Sequence, residues 1–285
     1  MLDTMTLSPT LQRAAGGAFV GLSSGDDSAK GASRLTTLRQ TGCAKAFLPH
    51  VSGPPEVVFL NTAGGLTGGD VLTYGLSLGA GGRATATTQT AERAYAAIRA
   101  AHPARVDVDL EVGPGGRLDW LPQETILFQN ARLDRHTRIA LTGDAEVLIC
   151  EMVVLGRAAM GERVDALSFF DRRAIARDGV PVFVDALEID ADVLAERGAA
   201  AGLAGAQAVA VVALVAPGAE DAVGALRGVS LPDGVRAGIS GWDGRVVARL
   251  SAGDGWPLRL AVAEMLRHLR RGTETSGALP RVWQI

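Results

Sequence analysis

The sequence predicts a mainly β fold, rich in antiparallel strands, with a few helices that lie mostly near the C-terminus. Residues 72–78 and 105–112 alternate strictly between apolar and polar side chains. A period of two places one set of side chains on a core and the other in solvent, which is typical of half-buried antiparallel strands. Residues 83–89 and 136–141 follow the same pattern more weakly and indicate two further strands.

Two Asp-Gly pairs predict tight hairpin turns. Asp178-Gly179 and Asp243-Gly244 each lie between two runs of strand-like residues. An Asp-Gly pair accepts the positive φ angles that a two-residue hairpin turn requires. We therefore expect an antiparallel hairpin at each position.

Helices are predicted to be scarce before residue 190 and to lie in three segments from there onward. Residues 190–197 and 220–227 are compatible with short helices. Residues 257–271 are the clearest case, because Pro257 suits the first turn of a helix and arginines near the end suit the negative pole of the helix dipole. One face of this helix carries Leu258, Val262, Met265, Leu266 and Leu269.

Two other segments allow more than one interpretation. Residues 90–101 favour a helix by composition but extended structure by their place between strands, and both remain open. Residues 199–216 are interrupted by one polar side chain, which approaches the length of a short membrane span. Much of this segment is Ala and Gly, so a helix end followed by a buried strand is the favoured interpretation.

One domain is predicted, at residues 34–285. Residues 1–33 are predicted to be a flexible lead-in, because residues 14–33 are mostly small and polar. No internal repeat and no linker divides the remainder of the chain. The hydrophobic fraction of 47% is ample for a packed core.

Charge and cysteine content limit the classes of function. The formal net charge of −3 gives no electrostatic basis for binding nucleic acid or an anionic membrane. Cys43 and Cys150 lie far apart and the histidines are scattered, so no structural zinc site is predicted. The first residues lack the pattern of a secretory signal, and two free thiols suit a reducing compartment. We therefore expect a cytoplasmic protein.

Residues 61–70 (Asn-Thr-Ala-Gly-Gly-Leu-Thr-Gly-Gly-Asp) invite comparison with phosphate-binding loops. Such loops place backbone N–H groups beside a phosphate at a helix N-terminus. Here no Gly-Lys-Ser/Thr follows, and the residues after 70 alternate like a strand. A rigid turn with positive φ angles is favoured. An enzyme or binding module that uses this loop for a phosphate-bearing ligand is the alternative.

Three glutamates lie in or beside apolar segments, namely Glu124, Glu151 and Glu162. A carboxylate in apolar surroundings is costly unless it is paired or hydrated. One interpretation is therefore a salt-bridged or solvent-facing side chain. The other is a polar, water-lined interior path with weak oxygen ligands.

Five segments carry a family resemblance. They are residues 61–70, 87–95 (Thr-Thr-Gln-Thr-Ala-Glu-Arg-Ala-Tyr), 120–126 (Trp-Leu-Pro-Gln-Glu-Thr-Ile), 156–162 (Gly-Arg-Ala-Ala-Met-Gly-Glu) and 279–283 (Leu-Pro-Arg-Val-Trp). In this order they resemble blocks of the urease accessory protein family UreD, called UreH in some lineages. Thr62 replaces the usual Pro of the first block, and Thr90 stands where a smaller residue is common.

The resemblance implies a two-layered, helicoid (β-helix-like) arrangement of strands and a protein that is not an enzyme. Proteins of this family bind apo-urease, join UreF and the GTPase UreG, and help insert nickel into the urease active site. Nickel is thought to pass through them along an internal water-filled route. We therefore expect no catalytic residue and no resident cofactor, with nickel as transient cargo and with no nucleic acid or membrane as partner.

Asp70, Glu124 and Glu162 are the predicted transient nickel ligands along such a route. Weak oxygen ligands let an ion both enter and leave. A tight nickel storage protein is a further alternative, and the lack of a His-rich or Cys-rich tract speaks against it.

Overall fold

The structure is a computed structural model that describes residues 13–24, 33–98, 102–157, 160–270 and 277–284. The described residues form mostly β structure. The strands are β1 (Ala15–Ser24), β2 (Ser33–Gly42), β3 (Ala44–Phe47), β4 (Glu56–Asn61), β5 (Val71–Leu78), β6 (Arg83–Thr88), β7 (Glu92–Ala94), β8 (Ala104–Val112), β9 (Arg117–Trp120), β10 (Thr125–Leu127), β11 (Arg132–Leu141), β12 (Glu146–Leu155), β13 (Ser168–Arg177), β14 (Val180–Ile189), β15 (Ala208–Val215), β16 (Arg236–Trp242) and β17 (Arg245–Ala252). The helices are α1 (Ala191–Ala195), α2 (Val223–Arg227) and α3 (Gly255–Leu269), with 3₁₀ turns at Ala219–Ala222 and Arg281–Trp283.

The strands form two mixed sheets that pack face to face. The first sheet has the order β14-β13-β11-β8-β5-β1-β2, and the second has the order β16-β17-β15-β12-β9-β6-β4-β3; in addition, β10 pairs with β12, and β7 pairs with β10. From β4 to β13 the chain passes back and forth between the sheets and adds strands to both layers, with the short strands β7 and β10 as extra members of the second sheet. The predicted mainly β, two-layered, helicoid fold is confirmed.

The pairing within the sheets differs from the expectation. The alternating segments 72–78 and 105–112 are β5 and β8, and these strands pair in parallel, with Leu72 opposite Val106. In the first sheet the pairings β8–β11 and β11–β13 are also parallel, and antiparallel pairs lie at the two edges. In the second sheet β12 pairs antiparallel with β15 and in parallel with β9. The expectation of mostly antiparallel strands is therefore wrong for the centre of the first sheet. Alternation reports only that one face is buried and the other solvated, as exposed Thr73 shows.

Both predicted hairpins are confirmed. Asp178 and Gly179 have φ angles of 49° and 80° and join β13 to β14. Asp243 and Gly244 have φ angles of 43° and 75° and join β16 to β17. A type I′ hairpin turn requires positive φ at both central residues, and the Asp-Gly pair accepts this geometry.

The predicted flexible lead-in is wrong for residues 15–24. These residues form β1, which pairs with β2 and with β5 inside the first sheet, and Val20 and Leu22 are buried. Glycine and alanine between the apolar residues hide the alternation of this strand. Residues 1–12 and 25–32 lie outside the described part of the chain, and residue 33 begins β2.

All three predicted helical segments contain helix. Segment 190–197 holds α1, and segment 220–227 holds α2 after a 3₁₀ turn. Segment 257–271 holds most of α3, which begins two residues earlier because the Asp254 side chain accepts a hydrogen bond from the Trp256 N–H at 2.8 Å. Arg271 lies outside the described residues.

The two open segments are mostly extended or turn structure. Within 90–101, β7 and a bridge at Ala96 are extended, and residues 99–101 are not described. Within 199–216, turns lead into the buried strand β15, and the helix end lies earlier, at α1. No helix in the described part of the chain is long and apolar enough to cross a membrane.

Strand β12 separates two hydrophobic cores. Its residues Ile149 and Val153 face the core between the two sheets. Leu148, Cys150 and Met152 face a second core between the second sheet and α3. Because both faces of β12 are covered along its centre, the charged side chain of Glu151 on this strand is buried.

Candidate functional site

A group of charged side chains lies buried between the two sheets. On β11, Arg135 and Thr137 occupy inward positions that apolar residues hold elsewhere on that strand. On neighbouring β13, Asp171 and Arg173 do the same. The strands run parallel, with Arg135 beside Asp171 and Thr137 beside Arg173 in register. The alternation that buries the apolar residues therefore buries these polar ones too.

The opposite sheet contributes Glu151 from β12. Thr137 Oγ1 donates to Glu151 Oε1 at 2.9 Å, and Arg173 Nε donates to Glu151 Oε2 at 2.9 Å. Arg135 Nη2 lies 3.0 Å from the same Oε2. Glu151 thus connects the two layers through charge-assisted hydrogen bonds.

The two arginines also hold two aspartates. Arg135 Nε and Nη2 donate to Asp171 at 2.9 and 2.7 Å. Arg173 donates from Nη2 to Asp171 and from Nη1 to Asp185 Oδ2 on β14 at 2.6 Å. Arg249 on β17 donates to the other Asp185 oxygen. We call Arg135, Glu151, Asp171, Arg173 and Asp185 the ion cluster.

Burial and the arginines act against each other on the pKa values of the ion cluster. Burial raises the pKa of Glu151, although Arg135 and Arg173 oppose the shift. Burial also pushes the pKa of Asp171 upward, but the two guanidiniums outweigh it and the net pKa is lowered. Removing one partner of a buried ion pair costs about 3–5 kcal/mol, because the other charge is left without compensation. The members of the cluster therefore depend on one another.

Three cavities lie along the space between the sheets. The largest, of about 520 Å³, lies beside β14 and is lined by Glu151, Arg173 and Asp185 together with residues of β15 and β17. A middle cavity of about 40 Å³ is lined by Glu92, Arg135 and Glu151 among others. A third, of about 50 Å³, lies against the glycine-rich loop and is also lined by Glu92. Glu92 thus lines the two smaller cavities, and Glu151 lines the middle cavity and the largest one.

Two buried donors face the middle cavity without a partner. Trp120 Nε1 and Gln123 Nε2 have no hydrogen-bond acceptor among the described residues, and both side chains line this cavity. An unsatisfied buried donor costs about 1–3 kcal/mol. A cavity of about 40 Å³ has room for roughly two or three water molecules. The two donors therefore line a cavity that can hold water, although much of its lining, including Val106, Val108 and Leu133, is apolar.

Glu92 is half-buried between the two smaller cavities. Its carboxylate accepts from Asn61 Nδ2 at 3.3 Å and from the Arg93 backbone N–H at 3.2 Å. Burial raises the pKa of Glu92 to about 7, although these two hydrogen bonds oppose the shift. The side chain therefore exchanges its proton near neutral pH.

A model of the family described as UreD urease accessory protein matches residues 20–284. The chain belongs to the UreD family. Urease accessory protein UreD of Cereibacter sphaeroides is 57% identical over 255 residues, covering 89% of this chain and 90% of that protein. Urease accessory protein UreD of Dinoroseobacter shibae is 49% identical over 284 residues, covering 99% of this chain and 96% of that protein. The protein of the same name from Rhizobium leguminosarum is 41% identical over 256 residues, covering 90% of this chain and 91% of that protein. The predicted family is confirmed, and it is a family of urease accessory proteins and not of enzymes.

Asp70 holds the glycine-rich loop of this UreD-family chain. Its buried carboxylate accepts the backbone N–H groups of Ala14 and Thr67, each at 2.8 Å. Gly64 and Gly65 have φ angles of 78° and 149°, as a rigid turn requires. Strand β5 follows the loop, and a carboxylate already accepts from the amides at its base. The alternative of a phosphate-bearing ligand at 61–70 thus has no structural support.

The other two predicted nickel ligands are paired with arginines. Glu124 accepts from Arg259 Nη1 of α3 at 2.8 Å. Glu162 accepts a hydrogen bond from Arg157 Nε at 2.8 Å. Burial alone would raise the pKa of Glu162, but the Arg157 guanidinium outweighs it and the pKa is lowered. Glu162 lines a pocket of about 330 Å³ with Arg163. The structure does not bring Asp70, Glu124 and Glu162 together, and none of them is among the described residues that line the three cavities between the sheets. Their role in a nickel route stays a prediction.

Sequence reasoning noted Glu151 but missed most of its surroundings. Glu151 stands out because it interrupts a strand of apolar residues. Arg135 and Asp171 are harder to notice in the sequence. Each takes one of the alternate positions of its strand that are otherwise apolar and buried. Glu92 carries no signal of its own, because its burial depends on the loop and on strands that are distant in sequence.

Proposed function

We propose that this chain is a non-catalytic scaffold of urease maturation that binds apo-urease together with UreF and the GTPase UreG. In this role it helps nickel reach the urease active site in the cytoplasm. Nickel is its transient cargo and passes through the polar space between the sheets. The family supports the accessory role. The single structural observation that supports passage is the series of three cavities, in which neighbouring cavities share Glu92 or Glu151 as a lining residue.

The lining of the middle cavity suits a passing ion. It offers the carboxylates of Glu92 and Glu151 and the hydroxyls of Thr88 and Thr125. Nickel binds imidazole and thiolate ligands more strongly than isolated oxygen ligands. An oxygen-lined path therefore favours transit, whereas tight storage calls for a cage of nitrogen or sulfur ligands.

The test uses cells that express the urease structural subunits and accessory proteins with variants of this chain. Glu92→Gln removes a carboxylate from the path while keeping the side-chain shape. We expect nickel per urease to fall at least severalfold, with recovery of UreF, UreG and urease in a pull-down unchanged. Glu162→Ala tests the earlier nickel-ligand prediction in the same way.

Glu111→Gln is the matched control, because Glu111 is exposed on the outer face of the first sheet. It removes the same charge without touching the cavities, and nickel content should stay at the wild-type level. Normal nickel loading with Glu92→Gln would rule out this path. Normal urease maturation in cells that lack the chain would rule out the accessory role.

A further inference from the structure

Strand β2 ends the first sheet, and its outer edge has no partner in the described part of the chain. The strand pairs with β1 along Ser33–Gly42 and with no other described strand. Apart from that pairing, no hydrogen bond between described residues involves the backbone of residues 34–40. An edge strand presents a row of unpaired N–H and C=O groups, which is a template for another extended segment.

The other three strands that end the two main strand orders each carry a contact that occupies the edge. On β14, the Val182 carbonyl accepts from an arginine of β17. On β16, the Ile239 carbonyl accepts from an arginine of α2 at 2.9 Å. On β3, which has four residues, the Ala46 N–H donates to the Gln40 side chain at 3.2 Å. Such contacts hinder the addition of a strand, and β2 differs from its counterparts in lacking one among the described residues.

Two leucines of β2 extend the core beyond the second sheet. Leu35 and Leu38 lie opposite Leu22 and Val20 of β1, which are buried between the sheets. Residues directly opposite each other on neighbouring strands project to the same face. Leu35 and Leu38 are nevertheless 47% and 42% exposed. A strand added to β2 would place its own inward side chains beside these leucines and cover apolar surface.

The opposite face of β2 is basic. Arg34 and Arg39 are exposed, and Arg39 lies over the Phe19 ring at 5.0 Å. No carboxylate among the described residues forms an ion pair with Arg34 or Arg39. Residues 33–47 contain three basic residues and no acidic one, although the whole chain has a formal net charge of −3. Carboxylates at alternate positions of an added strand would therefore complement this face.

The same charges disfavour a second copy of the chain as the occupant. Two copies would pair about a two-fold axis, with β2 antiparallel to β2. The register that sets Leu35 opposite Leu38 of the copy also sets Arg34 opposite Arg39. Like charges directly opposite each other on paired strands are destabilising. The edge therefore suits an acidic segment from a different protein.

We propose that the free edge of β2 is a docking edge, to which an extended acidic segment of a partner protein adds as a further strand. Alternate apolar side chains of that segment pack on Leu35 and Leu38, and its carboxylates lie beside Arg34 and Arg39. Backbone hydrogen bonds supply affinity and the alternating side chains supply specificity. This inference rests on the proposed function, because it gives an accessory protein one of the partner surfaces through which it acts.

Fluorescence anisotropy on the purified full-length chain tests the docking edge with synthetic peptides. The acidic probe alternates valine with aspartate over about eight residues, within the usual length of a strand. The control probe has lysine in place of aspartate. The wild type should bind the acidic probe at least tenfold more tightly than the lysine probe. A third probe keeps the aspartates but has N-methyl groups along both backbone edges, so it cannot add a strand and should not bind.

Charge reversal on β2 should reverse the preference for the acidic probe. Arg34→Glu combined with Arg39→Glu should bind the lysine probe more tightly than the acidic one. Arg172→Glu is the control, because Arg172 is exposed on β13 at the other side of the sheet, and it should keep the wild-type preference. Equal binding of the acidic and lysine probes to the wild type, or undiminished binding of the N-methylated probe, would overturn the proposal.

Hydrogen exchange on the wild-type chain needs no variant. The acidic probe should slow amide exchange within residues 34–40 and leave the amides of β14 unchanged. Protection of every amide in residues 34–40 before the probe is added would overturn the proposal, since the edge would already be covered. If that protection rose with protein concentration, the occupant would be a second copy.

The co-expression pull-down connects the docking edge with the partners of the chain. Arg34→Glu combined with Arg39→Glu should lower the recovery of at least one co-expressed protein severalfold, whereas Arg172→Glu should not. Unchanged recovery of every partner with the charge-reversed chain would overturn the assignment of this edge to a partner. The nickel content of urease with the wild-type chain decides the proposed function separately.

Discussion

The raised pKa of Glu92 makes a quantitative prediction for the stability of the folded chain. Burial moves this pKa from the ordinary value of 4.5 to about 7. Below about pH 4.5 the side chain is protonated in both the folded and the unfolded state, and it makes no difference to stability. As the pH rises toward about 7, the unfolded chain ionises first, so the free energy of unfolding falls. A shift of about 2.5 pKa units corresponds to a loss of about 3 kcal/mol.

Glu92→Gln mimics the protonated side chain and keeps an acceptor for Asn61. We therefore expect this variant to match the wild type near pH 4.5 and to exceed its free energy of unfolding by up to about 3 kcal/mol near pH 8. Urea titrations at both pH values, followed by circular dichroism, measure the difference. Glu111→Gln is the control, since its exposed carboxylate should leave the pH dependence unchanged.

Parallel pH profiles for the wild type and Glu92→Gln would refute the burial argument for this carboxylate. The comparison also bears on the nickel experiment. If Glu92→Gln is as stable as the wild type or more stable, a loss of nickel in urease cannot be ascribed to unfolding. The same variant then separates a role in ion passage from a role in the fold.

Two further predictions concern parts of the fold that frame the site. Trp283 is fully buried, and its Nε1 donates to the Leu121 carbonyl at 2.8 Å. Trp283→Ala should therefore lower the free energy of unfolding, measured in urea, by about 3–5 kcal/mol, and Trp283→Phe should lower it distinctly less, because it keeps a buried ring. Equal losses for the two variants would contradict a contribution from the packing of the ring. In Gly65→Ala the new Cβ would lie 2.3 Å from Tyr95 Cε2 and 2.8 Å from the Arg93 carbonyl oxygen, whereas Gly64→Ala meets no atom within 4 Å. Both glycines have positive φ, so both variants carry backbone strain, and only Gly65→Ala adds the clash with Tyr95. Gly65→Ala should therefore lower the melting temperature more than Gly64→Ala. Equal decreases would show that the close approach to Tyr95 does not affect stability.

The fold could be predicted where burial follows sequence periodicity. Alternation at 72–78 and 105–112 identified β5 and β8 because each strand has one buried and one solvated face. The same pattern could not give strand direction, since it arises equally in parallel and antiparallel strands. Strand β1 was missed because Gly17 and Gly21 leave its outward positions without polar side chains.

The site was harder to predict, because it depends on contacts between residues far apart in the chain. Glu124 lies among apolar residues, yet its partner Arg259 is 135 positions away on α3. Glu151 has the same kind of neighbourhood in sequence, but its partners lie on the opposite sheet. The two glutamates can be distinguished only once the layers and the register are known.

Burying the charged side chains of the ion cluster in a β core costs desolvation free energy, so the reason for keeping them there needs an explanation. Replacing a whole buried ion cluster by apolar residues of similar volume is often neutral or stabilising, so stability alone gives little reason to keep one. Here the neighbouring inward positions on β11 and β13 are apolar, including Leu133 and Ile175. A continuous apolar core would therefore fit the same strands. The charges instead lie beside the middle cavity and the largest one, both of which are lined by Glu151, so the cluster is better explained by a role of this polar region than by stability.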